Sequence, residues 1–352
     1  MEESILYEVE QLSQNLIKEA IVNQASDLHV IPTSQGYLVQ MRIHGQIKSV
    51  KRLPSKQAER LISHLKYQSG MDIGERRKSQ SSMLPFVEQN HKYTLRLSTL
   101  PATPSESLAI RISKQNSSTM IQNLPLLPKQ LPSLFQALHY TYGLLLITGP
   151  TGSGKTTTLY SLLNEFISKK NRRVISIEDP IEQSIEQAVQ IQINEKAGIT
   201  FESGLHSILR HDPDVIVIGE IRDKQTAKLA LRSALTGHYV LGTLHTHDCY
   251  SAIIRLLDFG LTRAELAEAT RMIMTQRLFL PTCRYCERER AQECSHFLYR
   301  GRKAVYETLF AERLRETILN QEVPYRKLRN EVRLAWSLGY LEEEEIERQG
   351  LW

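Results

Sequence analysis

The sequence predicts an α/β fold built around a glycine-rich loop, with a smaller α+β domain ahead of it. Three observations carry this. The apolar run Leu144–Ile147 leads directly into Gly-Pro-Thr-Gly-Ser-Gly-Lys-Thr at 149–156, a strand entering a glycine-rich loop. Beyond it, short apolar stretches (Val174–Ile177, Val215–Ile218, Val240–Thr243) alternate with helical patterns, which implies a largely parallel sheet covered by helices on both faces. Ahead of it, residues 28–50 alternate apolar and polar side chains, the period of half-buried strands.

Taken in order, Ile5, Leu6, Val9, Leu12, Leu16, Ile17 and Ile21 recur at helical spacing over residues 1–24. The alternation that follows is broken at His44-Gly45, which fits a hairpin turn. A helix is expected from Pro54 to about Ser69, then strands at Tyr93–Thr99 and Leu108–Ile112, completing an N-terminal domain over 1–112. Residues 113–132 are rich in Ser, Asn, Gln and Pro and read as a linker with short ordered pieces. The nucleotide-binding domain spans 133–280, and 281–352 reads as a helical, highly charged C-terminal region in which Glu342–Glu345 is a solvated face.

Composition narrows the function classes. The chain has 352 residues, a hydrophobic fraction of 41%, a charged fraction of 24% and a net charge of +5. That mild excess reads as a solvated surface, with an anionic membrane face or an acidic partner as the alternative. Nucleic-acid binders concentrate positive charge far more, so no direct nucleic-acid binding is expected. The start, Met1-Glu2-Glu3-Ser4, lacks the pattern of a secretory signal, and no apolar run approaches the roughly 18 residues of a membrane span. Four cysteines do not make a disulfide scaffold. A cytoplasmic protein, with any membrane association peripheral, is the expectation.

The chemistry-bearing segments lie at the ends of the expected sheet strands, where α/β folds bind nucleotides. Glycines at 149, 152 and 154 let successive N–H groups converge on phosphate oxygens, and the helix opened by Thr156, Thr157 and Thr158 adds its positive end. Lys155 would reach the outer phosphates while Thr156 presents a hydroxyl to Mg²⁺. The nucleotide-binding set is therefore Gly149-Pro150-Thr151-Gly152-Ser153-Gly154-Lys155-Thr156-Thr157. Next, Glu178-Asp179-Pro180-Ile181-Glu182 ends a strand with three carboxylates at the rim. Such groups hold Mg²⁺ through water, or orient and deprotonate an attacking water. The strand Val215–Ile218 ends in Gly219-Glu220, so Glu182 and Glu220 form a carboxylate pair beside the nucleotide. Finally, His238, His245 and His247 flank one buried strand. His238 and His245 bracket it, consistent with sensing of the γ-phosphate or coupling between subunits.

With these segments in order, the chain resembles the secretion and type IV pilus traffic ATPases, the GspE/PilB/PilT superfamily. Its four hallmarks correspond to Walker A (149–156), the Asp box (175–182), an atypical Walker B (210–223) and the His box (236–248). Gln190–Phe201 resembles the assembly and secretion branch, and the match is read over about 24–310. The resemblance implies a RecA-like ATPase domain and a PAS-like N-terminal domain, opened here by Ala25-Ser26-Asp27-Leu28-His29-Val30. It implies Glu182 and Glu220 as catalytic carboxylates, His238 and His245 as the His-box pair, and Arg96 and Arg111 as arginine fingers. It further implies ATP and Mg²⁺ as ligands, a homo-oligomer (a hexamer) and an inner-membrane platform protein as partner. The short N-terminal part resembles the competence pseudopilus ATPases of Gram-positive bacteria, whose motors serve DNA uptake. Type II secretion, pilus assembly or retraction, and a non-hydrolysing nucleotide-binding regulator stand as alternatives. Members of the superfamily often carry two CxxC pairs for zinc. Here Cys283-x-x-Cys286 is present and Ala291 stands where the second pair should begin, leaving Cys294 and His296 to complete a candidate zinc set.

Overall fold

The computed structural model describes residues 2–43, 45–114, 119–283, 301–319 and 324–351. The chain divides into two compact units, Met1–Ser117 and Ser118–Trp352.

The N-terminal unit is a helix-backed antiparallel sheet. Its elements are α1 (Glu2–Val22), β1 (Ala25–Thr33), β2 (Gly36–Ile43), β3 (Gln46–Leu53), α2 (Ser55–Gln68), β4 (Gln80–Glu88), β5 (His91–Pro101) and β6 (Glu106–Lys114). The six strands run β3-β2-β1-β6-β5-β4. Leu16, Ile17 and Ala20 of α1 and Ala58, Leu61, Ile62 and Leu65 of α2 bury against Leu28, Val30, Val39, Met41, Leu95, Leu97 and Ile110 on one sheet face. Alternation within each strand leaves the intervening residues on the other face. The sequence reading had no counterpart of β4, whose run Ser-Ser-Met-Leu-Pro-Phe-Val contains Pro85. A proline lacks the N–H needed in a central strand, and β4 sits at the sheet edge, where one ladder side is unpaired.

The second unit follows with α3 (Leu131–Gln136), β7 (Gly143–Thr148), α4 (Lys155–Lys170), β8 (Val174–Glu178), β9 (Val189–Gln192), α5 (Phe201–Ile208), β10 (Val215–Ile218), α6 (Lys224–Leu235) and β11 (Tyr239–Leu244). The chain continues with α7 (Cys249–Asp258), α8 (Arg263–Ala269), β12 (Thr270–Phe279), β13 (Lys303–Phe310), α9 (Ala311–Ile318), α10 (Leu328–Ser337) and α11 (Glu343–Arg348). Seven strands run β13-β12-β7-β11-β10-β8-β9, and only the β12/β13 pairing is antiparallel. Every residue of β7, β8, β10 and β11 is buried, as expected of strands covered on both faces. Alternate residues feed two cores: Ile175, Ile177, Ile216 and Ile218 join one, while Val174, Val215, Val217 and Leu241 join the other.

Two expectations change here. The C-terminal region does supply helices α9 to α11, but it also contributes β13, an antiparallel strand that extends the nucleotide-binding sheet. Residues 281–352 therefore share a compact unit with 133–280. The second half of the expected linker is also no tether. Ile121, Leu124, Leu126 and Leu127 are buried, and the segment is stitched to β13 by Leu126 N–H to Ala304 O (2.7 Å) and Ala304 N–H to Leu124 O (3.0 Å). The apolar run Leu-Pro-Leu-Leu at 124–127 outweighs the polar composition around it.

One buried ion pair stands inside the N-terminal unit. The Lys66 ammonium, with no exposed surface, donates to both Glu106 oxygens (3.3 and 3.0 Å) and to Glu75 O (2.8 Å). Removing one partner strands the other charge in a dry core, at a cost of about 3–5 kcal/mol. Glu106→Ala should therefore lower the urea midpoint of the N-terminal unit sharply. The paired replacement Lys66→Met with Glu106→Leu should recover most of that loss. Equal losses in the single and paired variants would show that the charges do not act as a pair.

Candidate active site

Register in the parallel sheet assembles the site. β7 and β11 pair so that Thr148 lies opposite Leu244, and β10 pairs with both neighbours so that Ile218 lies opposite Gly242 and Ile177. The carboxyl ends of β7, β11, β10 and β8 thus form one rim. The next residues along the chain are Gly149, His245, Gly219-Glu220 and Asp179, so the segments that sequence separates by a hundred residues meet there.

The loop after β7 demands its glycines. Gly149 has φ +146°, and a Cβ there would lie 2.5 Å from Ser153 Oγ and 2.7 Å from Gln276 O. Gly154 caps α4 in the left-handed region at φ +88°. Gln276 of β12, itself fully buried, donates from Nε2 to Ser153 O (2.7 Å) and props the loop from below. The cradle that these residues leave, closed to any side chain, fits a phosphate approaching the start of α4. Pro150, Thr151 and Gly152 complete the loop, and Thr156 and Thr157 are exposed in the first turn of α4, where a Mg²⁺-binding hydroxyl is needed.

Lys155 is buried and folds back over the loop, donating to Gly149 O (2.7 Å) and Pro150 O (3.1 Å). Its Nζ also lies 3.4 Å from His245 Nδ1. From His245 the contacts continue along the rim. His245 Nε2 is 3.2 Å from Glu220 Oε1, Arg222 Nε donates to Glu220 Oε2 (2.7 Å), and an Arg222 terminal nitrogen donates to Asp179 Oδ2 (3.4 Å). Burial, reinforced by the Lys155 charge, holds the His245 imidazole below its ordinary pKa against the pull of Glu220. A neutral ring between an ammonium and a carboxylate has one consistent tautomer: Nε2–H donates to Glu220 and Nδ1 accepts from Lys155. The line Lys155–His245–Glu220–Arg222–Asp179 therefore links the P-loop, His box, Walker B and Asp box. It can bind phosphate at one end and orient water at a carboxylate further along.

The three carboxylates expected at the end of β8 take different places. Asp179 faces Arg222, Glu182 is half-buried on the loop beyond a cis Asp179–Pro180 peptide, and Glu178 turns inward with 4% exposure. Glu178 accepts from Tyr160 Oη (2.6 Å) and Ser176 Oγ (2.7 Å), so it is no rim ligand. His238 and His245 are not brought together. Tyr239 pairs with Gly143 at the opposite end of the sheet, and His238 there contacts Thr236 Oγ1 and Ser233 O through Nδ1. A six-residue strand, about 20 Å, separates it from the P-loop. Of the zinc set, Cys283 is buried, while Cys286, Cys294 and His296 lie outside the described residues. Among the described residues no cluster of three or more His, Cys, Asp or Glu is arranged to hold a metal ion.

Arg96 and Arg111 are direct cross-strand partners in the N-terminal unit. Across the sheet the same row reads Arg42, Asp27, Arg111, Arg96 and Met83. Asp27 pairs with Arg111 (3.0 Å) and Arg42 (3.7 Å). The two expected fingers thus share one face. Sequence reasoning assigned no role to Arg222 or Gln276. Arg222 had a signal in its position two residues after Glu220; Gln276 had only its polarity within the apolar run of β12.

The fold and the rim define a P-loop ATPase with a RecA-like core. The chain belongs to the type II/IV secretion system protein family, which matches residues 2–348. It is 42% identical over 339 residues to "Competence protein ComGA" of Bacillus subtilis (strain 168), covering 95% of each chain. It is 34% identical over 335 residues to "Type II secretion system protein E" of Aeromonas hydrophila, covering 88% of this chain and 67% of that protein. Among solved structures it is similar to the pilus retraction motor PilT with bound ADP, at TM-score 0.68 and 28% identity, covering 94% of each chain. The similarity therefore reaches further toward both ends than 24–310, taking in α1 and the C-terminal helices. Among the described residues no helix is long and apolar enough to cross a membrane.

Burial draws the Lys155 ammonium down to about 8, against the opposing charge of Glu220. Phosphate favours the charged form, so at about pH 8.5 nucleotide binding should take up a proton, and affinity should fall by up to about tenfold per pH unit above that. Calorimetry of ADP binding in buffers of different ionisation enthalpy measures this uptake. Binding without proton uptake at that pH would show that Lys155 stays charged throughout.

Proposed function

We propose that this ATPase is a hexameric motor which docks on an inner-membrane platform protein and assembles a pilus-like filament for DNA uptake in competence. The observation that carries this is the near end-to-end similarity to ComGA. It works at the inner face of the cell membrane without spanning it. Lys155 binds the outer phosphates and Thr156 supplies the hydroxyl for Mg²⁺, which when bound neutralises phosphate charge. Glu182 and Glu220 orient and activate the attacking water. His245, set between Lys155 and Glu220, ties the state of the phosphate site to that of the carboxylate. Arg96 and Arg111 act as arginine fingers, with Arg111 exchanging Asp27 for phosphate. Type II secretion is the second reading, favoured by the similarity to the Aeromonas protein.

In hydrolysis assays Glu220→Gln should lower kcat by about 10²–10⁴-fold with ATP affinity retained. Lys155→Ala should abolish nucleotide binding; a Lys155→Ala chain that still supports transformation would point to a non-hydrolysing regulator. Arg96→Ala and Arg111→Ala should each reduce kcat by about 10³-fold or more, and an unchanged kcat would remove the finger role. At the cellular level, loss of the gene should abolish transformation. Intact transformation with lost protein export would select the second reading.

A further inference from the structure

The geometry points to Tyr160 as a positioning residue that, with the buried carboxylate of Glu178, holds the Glu182 loop in place against the P-loop helix. Tyr160 lies on α4, in the second turn after Lys155, and is 3% exposed. Its hydroxyl donates to Glu178 Oε2 (2.6 Å) and accepts the backbone N–H of Gln183 (3.2 Å). The other Glu178 oxygen accepts from Ser176 Oγ (2.7 Å) and Gln190 Nε2 (3.3 Å). Gln190 in turn donates to Gln183 O (2.9 Å) and accepts from Ile185 N (2.8 Å).

The backbone of Gln183 is consequently gripped at both polar groups, its N–H by Tyr160 and its C=O by Gln190. Glu182 is the adjacent residue, so its backbone has little freedom to shift relative to α4. On its other side the Glu178 backbone packs tightly against the residue before Glu220, since a Cβ on Gly219 would lie 3.2 Å from Glu178 Cα. Glu178 thus ends the strand that leads to Glu182 and packs against the residue that precedes Glu220. Burial, and then the Glu178 charge, pushes the Tyr160 hydroxyl far above its ordinary pKa, so it remains a donor at every pH at which the protein works. An α-helix fixed to the phosphates at its first turn thereby fixes the loop that must present a carboxylate to the water.

This rests on Glu182 acting at the phosphate. In the full-length protein, Tyr160→Phe removes one oxygen and should lower kcat about tenfold, the rate equivalent of one hydrogen bond, with ADP affinity within about twofold of wild type. Hydrogen exchange across residues 179–190 should accelerate. In a Glu182→Gln background Tyr160→Phe should cost nothing further, because both changes disable the same step. Gln190→Leu, which frees the carbonyl of the same residue, Gln183, should reproduce the kcat loss and the faster exchange. An unchanged kcat, a loss confined to ADP affinity, unchanged exchange, or full additivity with Glu182→Gln would each overturn the inference. A wild-type rate in Glu182→Gln alone would instead overturn the role of Glu182. Exchange separates the two failures, because it reads the hold on the loop whether or not ATP turns over.

Discussion

The nucleotide-site rim is assembled by the parallel pairing of β7 with β11 and of β11 with β10. Parallel strands that begin at one level end at one level, so everything following their last residues is delivered to a single rim. Burial on both faces holds that register. A slip of one residue would exchange the isoleucines of one core for the valines of the other and turn each to the wrong side of the sheet. The P-loop, His245, Glu220 and Asp179 are consequently neighbours because of how apolar side chains pack several residues away from them.

Along the rim, charge alternates. An ammonium, a neutral imidazole, a carboxylate, a guanidinium and a second carboxylate follow one another, each in contact with the next. No charge in that series is left without an opposite or polar neighbour, which matters most for Lys155, the buried member at its inner end. Within it His245 bridges Lys155 and Glu220, and that carboxylate is shared with Arg222. Behind this line lies a drier layer, Tyr160, Ser176, Glu178 and Gln190, which positions main chain and carries no exposed charge.

Much of the fold was legible in the chain itself. The four central strands announce themselves as short apolar runs, and the α1 and α2 helices by their spacing. Several elements escaped notice, each for its own physical reason. β4 has an internal proline that only an edge position tolerates, and β13 lies within a charged region whose composition looks helical. Residues 124–127 hide four apolar positions inside a polar segment, and their role appears only when β13 is beside them. At the site, Lys155, Glu220 and His245 were readable because each adjoins a strand end. That His238 lies far from His245 was readable too, since the two bracket one strand and a strand's ends are as far apart as its length.

Legible in the chain alone is the chemistry on offer: a loop whose glycines admit phosphate, carboxylates at strand ends, and a largely parallel sheet implied by helices alternating with buried strands. These are local properties, set by backbone sterics and hydrophobic period, and they survive without knowledge of neighbours. Where each carboxylate ends up depends on contacts between elements far apart in the chain. Glu178, Asp179 and Glu182 look equivalent within five residues of sequence, yet one is drawn inward by Tyr160, one faces Arg222 and one rides a loop gripped from both sides. The reason is that a carboxylate's role depends on which donors approach it, and here Tyr160 arrives from α4, Gln190 from β9 and Arg222 from the segment after β10, none of which its own sequence context specifies.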